Sequence, residues 1–291
     1  MNKILNEDKI REIVREEIRK FLTEGIDIYK GRTICVNNSH QNYVDTNDYS
    51  DPYLFTDNQR GYRTISIFQR KSTIDRIDSN PLLNALKQRK GWEFKDAKED
   101  LHKLLKNFVS AAKLLPKYDT IIMTPSHNKL NETVFGYLIR LIPHEFYIKD
   151  FFQKMTANEV YNCMIDDEYI DKNFGEMAKK VYADIDDAFI EMDKNNDGIF
   201  SYKYLQKAKY REAIIQSMKI NKYPHCELNY AENINGKDVL VFDDTITTGK
   251  TISDSGKAIK EMFNPKSITY ITLFSAIANE KENTQEKVKT I

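Results

Sequence analysis

A chain of 291 residues with 41% hydrophobic and 30% charged residues has material for a sizeable buried core and a well-solvated surface. Lys plus Arg (44) equals Asp plus Glu (44), so no overall basic field favours nucleic acid, and a polyanion would need a local patch. No apolar run approaches the roughly 18 residues needed to span a bilayer. The charged first 24 residues lack the apolar stretch of a signal peptide, which reads as a soluble, cytoplasmic protein without a membrane partner.

In chain order, residues 8–22 place Ile10, Ile13, Val14, Ile18 and Phe21 at helical spacing between charges. This N-terminal amphipathic helix (1–24) either packs on its own domain or serves self-association or partner docking. Residues 25–57 read as loops or short strands, and 64–69 as a strand, since Ile65 and Ile67 alternate with polar neighbours. Pro81 opens a short helix over 81–86. A longer helix is predicted over 95–115, with Leu101, Leu104, Leu105, Phe108, Ala112 and Leu115 on one face and Pro116 as its stop. Strand, helix and strand follow at 120–124, 130–141 and 146–148. Residues 149–230 read as a mostly helical insertion. Strand 239–242, helix 251–263 and a final strand 268–274 complete an alternation that predicts an α/β fold with a mostly parallel sheet. The polar tail, 279–291, is expected to fray. The domain plan is thus an N-terminal region over 25–117 and a core over 118–291 with its insertion at about 149–230. Cys35, Cys163 and Cys226 have no CxxC or metal-ligand spacing and read as reduced thiols.

The segment that carries chemistry is Val239-Leu-Val-Phe-Asp243-Asp244-Thr-Ile-Thr-Thr248-Gly249-Lys-Thr251. Four apolar residues suit a buried central strand. The two carboxylates at its end are expected to emerge at the carboxyl edge of the sheet, where open α/β proteins bind ligands. The threonine loop closed by Gly249 leads straight into a helix, and backbone N–H groups, hydroxyls and the helix N-terminus together suit a phosphate. A ligand with a phosphate at one end and a diol at the other satisfies both halves, as ribose 5-phosphate does. A P-loop is excluded because the glycine it needs five positions before Gly249 is Asp244.

These residues resemble the phosphoribosyl-pyrophosphate (PRPP) signature of type I phosphoribosyltransferases, and the chain order is most similar to the ComF-like branch. The resemblance implies an α/β sheet of that family's kind, with an N-terminal helical extension and a helical insertion. It implies that Asp243 and Asp244 hold the ribose hydroxyls as the catalytic pair, and that Thr245, Thr247, Thr248, Gly249, Lys250 and Thr251 bind the 5-phosphate. The family's early strand and turn correspond to 120–129, making Ser126, Asn128 and Lys129 candidates for pyrophosphate, with His127 in the same turn. The basic stretch Lys207, Lys209 and Arg211 sits where ComF-like chains carry one, which makes Arg211 a further pyrophosphate candidate, and the stretch is equally readable as a solvated helix face. The implied activity is transfer of the phosphoribosyl group from PRPP to a nitrogenous acceptor, with Mg²⁺ as cofactor. The alternative is a non-catalytic PRPP-binding or ComF-like module with a regulatory, DNA-handling or assembly role. Any hood over the acceptor must come from residues 1–117 or from the insertion.

A second motif, Asp193-Lys-Asn195-Asn-Asp197-Gly198-Ile-Phe-Ser201, places oxygen groups at positions 1, 3, 5 and 9 and glycine at 6, as in an EF-hand Ca²⁺ loop. Tyr204 stands where the bidentate glutamate belongs, so the competing reading is a helix-ending turn.

Overall fold

The computed structural model describes residues 25–29, 31–37, 43–71, 81–126, 129–205, 207–221, 230–246, 248–275 and 286–288. The N-terminal helix, His127, Asn128, Thr247 and Cys226 lie outside the described residues. No described helix is long and apolar enough to cross a membrane.

A small antiparallel pair, β1 (Gly25–Tyr29) and β2 (Thr33–Asn37), is followed by the two-residue β3 (Val44–Asp45) and a hairpin of β4 (Leu54–Gln59) and β5 (Tyr62–Arg70). Helix α1 (Pro81–Leu86) precedes β6 (Glu93–Phe94), which adds to β2. Helix α2 (Ala97–Ala112) starts at Asp96, whose side chain accepts from the Glu99 N–H. Then come β7 (Thr120–Met123), α3 (Lys129–Leu141) and β8 (Phe146–Ile148).

The insertion begins with β9 (Phe152–Lys154) and continues through α4 (Ala157–Cys163), α5 (Asp167–Phe174), α6 (Ala178–Asn195), a 3₁₀ turn at Tyr202–Tyr204 and α7 (Ala208–Glu212). It closes with β10 (Met218–Ile220), antiparallel to β9. It has its own core, in which Val160, Ile170, Ile185, Met192 and Ile214 are buried. The chain returns through α8 (Tyr230–Ile234), β11 (Asp238–Thr245), α9 (Lys250–Met262) and β12 (Ser267–Phe274), and β13 (Glu286–Val288) pairs with β4.

The central sheet runs β13-β4-β5-β12-β11-β7-β8, and β5, β12, β11, β7 and β8 are mutually parallel. Because side chains alternate across a strand, the apolar run of β11 feeds two cores. Leu240 and Phe242 pack with α2 and α3 residues such as Phe108 and Leu138, while Val239 and Val241 pack with Ile252 and Ile259 of α9. This is the α/β architecture with a mostly parallel sheet that the alternation predicts.

Several expectations are corrected. Leu101 and Leu105 are exposed, at 44% and 37%, because α2 turns Leu104, Phe108 and Ala111 to the sheet. The strand read at 64–69 is present as β5, buried from Thr64 to Arg70 and paired with β12. That pairing also puts residues 54–70 into the central sheet, across the boundary drawn at 117. In the tail, residues 286–288 form an edge strand, so 268–274 is not the last one.

Candidate functional site

Chain order along the sheet reverses between β7 and β11. From β7 the chain crosses through α3 to β8 on one side, and from β11 through α9 to β12 on the other. Both connections leave the carboxyl ends of the strands, and the crevice between them is where an open α/β sheet leaves room for a ligand.

A cavity of about 750 Å³ opens there. Its floor is Asp243, Asp244 and Thr245 with Thr251. The turn after β7 contributes Ser126, and α3 contributes Lys129 and Asn131. One wall is residues 86–89 behind α1; the facing wall is the insertion, through Lys154, Asn196, Ser201, Tyr202, Lys203 and Met218. Both sources named for a hood therefore border the site.

The acidic pair does not simply emerge. Strand β11 continues through both residues, with Asp243 in register with Thr272 of β12. Asp243 accepts from Thr124 Oγ1 (3.0 Å) and from the Asp244 N–H (2.9 Å). Burial, with Asp244 adjacent, pushes its carboxyl up to about 7. Asp244 is ion-paired with Lys87, a side chain only 7% exposed. The pair thus divides into a deep carboxyl raised by burial and a carboxylate ion-paired with the lysine that follows α1.

Gly249 has φ 70°, the left-handed region that suits glycine. A Cβ there would lie 3.1 Å from Arg60 Cγ, so the loop and the β4–β5 turn are in close contact. Arg60 donates from Nε to the Thr248 carbonyl (3.1 Å) and from Nη1 to Glu212 of α7 (3.0 Å). Gly249, the N-cap of α9, has no side chain to cap the helix, which suits its first N–H groups to an anion. Thr245 Oγ1 is shielded from solvent without a hydrogen-bond partner.

Lys250 is corrected. It does not line the cavity; it is 7% exposed on its side chain and ion-paired to Asp254 Oδ1 at 3.1 Å, one helical turn on. The position follows from helix geometry, because i and i+4 share a face. Fully buried Asp254 also accepts from Tyr202 Oη (2.7 Å), Ser217 N (3.0 Å) and Ser217 Oγ (2.5 Å), which ties the insertion to α9. Thr248 likewise is absent from the cavity lining.

The basic stretch does not reach the cavity either. Arg211 donates to the Leu205 carbonyl (3.3 Å), Lys207 engages Tyr210 and Asp184 on the surface, and Lys209 is exposed. Lys207 and Lys209 are exposed, while Arg211 is half-buried. In the EF-hand-like segment, α6 runs through Asp193 and Asn195, so these sit on a helix and not on an open loop. Ser201 instead lines the cavity. Among the described residues no group of three or more His, Cys, Asp or Glu is arranged to hold a metal.

Three groups escaped sequence reasoning. Lys154 lines the cavity from β9, and burial pulls its ammonium down while Asp243 and Asp244 act in the opposite sense. Asn131 is 1% exposed, lines the same cavity, and neither end of its carboxamide has a partner. Lys87, two residues before Arg89, closes on Asp244 from 157 positions away. No motif marks any of them; only a buried-strand lysine such as Lys154 offers a hint.

The described chain is an α/β protein whose switch-point crevice carries acids, an uncapped helix start and several cations. Comparison with protein-family models, with curated proteins and with solved structures gives no match.

Proposed function

We propose that the protein binds PRPP at this crevice and transfers the 5-phosphoribosyl group to a nitrogenous acceptor, releasing pyrophosphate. The observation that carries the reading is the meeting of two halves in one cavity. The acidic pair at the end of β11 and the start of α9, with Thr245 and Thr251, face cations from both walls. The strand order, with the signature after the strand next to β7, supports a sheet of the type I phosphoribosyltransferase kind.

In this reading the α9 N-terminus and threonine hydroxyls hold the 5-phosphate, and Asp243 and Asp244 accept from the ribose hydroxyls. Fixing the sugar at both ends presents its anomeric carbon to the acceptor, so the protein's contribution is orientation. The bond from the anomeric carbon to pyrophosphate breaks with its electron pair leaving on pyrophosphate. The acceptor nitrogen's lone pair forms the new C–N bond, and any proton on that nitrogen is released. Cavity cations offset the charge that grows on the departing group.

Among the described residues no group of three or more ligands is arranged around a metal, so a Mg²⁺ would come with the diphosphate and be held on the protein side by one carboxylate oxygen. Asp243 or Asp244 would supply that oxygen, and the ion would add to charge neutralisation on the diphosphate.

Incubating the protein with PRPP, Mg²⁺ and a panel of nitrogenous bases, and following pyrophosphate release, tests the proposal. Turnover that disappears in Asp243→Asn plus Asp244→Asn supports transfer. Tight PRPP binding without turnover on any base points to the non-catalytic module. Absence of PRPP binding by calorimetry sinks both.

A further inference from the structure

The cavity holds more positive charge than its acids account for. Lys87, Arg89, Lys129, Lys154 and Lys203 line it, against Asp243 and Asp244. Asp244 is already matched by Lys87. Asp243 is already engaged by the Thr124 hydroxyl (3.0 Å) and the Asp244 N–H (2.9 Å). Lys154 shares the cavity with two further cations, Lys203 and Arg89, whose charges both disfavour its own. It makes no hydrogen bond or ion pair with a described residue, although most of its side chain is out of water. Exposed Lys203 rests its ammonium 4.6 Å from the Tyr204 ring centroid and forms no ion pair with a described residue. A partly buried ammonium without an anion is costly, and folds retain one where something else supplies the counter-charge.

Asn131 gives a second, independent sign. Its carboxamide is buried on the first turn of α3 with both the Nδ2 donor and the Oδ1 acceptor unsatisfied. Each such orphan costs stability in the free protein. A phosphate oxygen reaching down beside α3 would accept from Nδ2.

We propose that Lys154, Lys203 and Arg89, together with the Asn131 carboxamide, form a diphosphate subsite completed by the helical insertion. The naming of the ligand as the diphosphate arm of PRPP rests on the function proposed above; the polyanion subsite itself rests only on these four side chains. All four lie outside the strand-and-loop signature: Asn131 on α3, Lys154 from β9, Lys203 from the 3₁₀ turn, and Arg89 from the segment behind α1. The insertion therefore acts as one jaw of the site. It is anchored to the other jaw by Asp254, which accepts from Tyr202 and Ser217, and by the Arg60–Glu212 ion pair.

The test is calorimetric titration of the full chain with inorganic pyrophosphate, ribose 5-phosphate and PRPP, each with and without Mg²⁺. Lys154→Met and the surface variant Arg89→Gln are each expected to weaken pyrophosphate by about tenfold or more, the size of a lost charge-assisted contact. Ribose 5-phosphate should stay within about twofold of the parent value. Arg89 is exposed, so that variant keeps the test alive if Lys154→Met fails to fold. Pyrophosphate affinity unchanged in both variants, or no pyrophosphate binding by the parent chain, overturns the subsite even if PRPP still binds. Pyrophosphate binding that depends on Lys154, with neither PRPP nor ribose 5-phosphate bound, upholds the subsite and overturns the phosphoribosyl reading.

Discussion

Replacing Asp254 by alanine should be far more damaging than its place outside the cavity suggests. The side chain is fully buried and serves Lys250, Tyr202 and both donors of Ser217 at 2.5 to 3.1 Å. Asp254→Ala leaves the buried Lys250 ammonium with only the Ile215 carbonyl (3.4 Å) and removes the acceptor of three hydrogen bonds, for which about 3–5 kcal/mol is the expected loss. Lys250→Met takes away only one partner. The carboxylate keeps Tyr202 and Ser217, so the loss should fall to about 1–3 kcal/mol. Joined in one protein, the two changes should cost less than their sum by about 1 kcal/mol or more, because they break the same contact. Urea unfolding of the parent, the single variants and the double variant measures all three. Binding of ribose 5-phosphate to Lys250→Met, where the protein remains folded, should stay within about twofold of the parent. A loss under about 1 kcal/mol for Asp254→Ala, or strict additivity, would refute the buried hub.

Asp243 should leave a mark on stability as a function of pH. Its carboxyl titrates at about 7 in the folded chain and at 3.8 when unperturbed, so between these values the folded state binds the extra proton. Stability from this group is therefore fully present below about 4 and is lost as pH rises to about 7. Asp243→Asn should flatten that fall, seen in urea midpoints at acid and neutral pH, and a variant curve parallel to the parent's would exclude it. Gly256→Ala forces a Cβ to 2.3 Å from Tyr62 Cζ, so α9 must move or Tyr62 must leave its place. A loss of about 1–3 kcal/mol is expected in chemical denaturation, with partial recovery when Tyr62→Ala is added. Arg60→Ala releases the Thr248 carbonyl and Glu212 together. Since the Arg60 side chain is 37% exposed, its ion pair is screened by water and the stability change should be within about 1 kcal/mol, while ribose 5-phosphate affinity drops several-fold in calorimetry; unchanged affinity would count against loop positioning.

Much of the scaffold could be read in advance because it rests on local pattern. The apolar run of β11, the helical period of α3 and α9, and Pro81 at the start of α1 each depend on neighbours within a few positions. Where two elements compete for the same residues, local pattern fails. The heptad-like leucines of α2 do not say which are turned outward, and Leu101 and Leu105 are.

For the site, the signature alone determined the order of chemistry along the chain: buried strand, acidic pair, threonine loop, helix. Helix spacing even contained the Lys250–Asp254 pair, four residues apart, though nothing local says that this face turns inward. What only the tertiary structure decided is the company the signature keeps. Lys87, Asn131, Lys154 and Lys203 are brought to one cavity by strand order and by the fold of the insertion. Their placing is set by long-range packing, in which a lysine on a short strand becomes a site residue because of what lies across a gap and not because of what lies beside it in the chain.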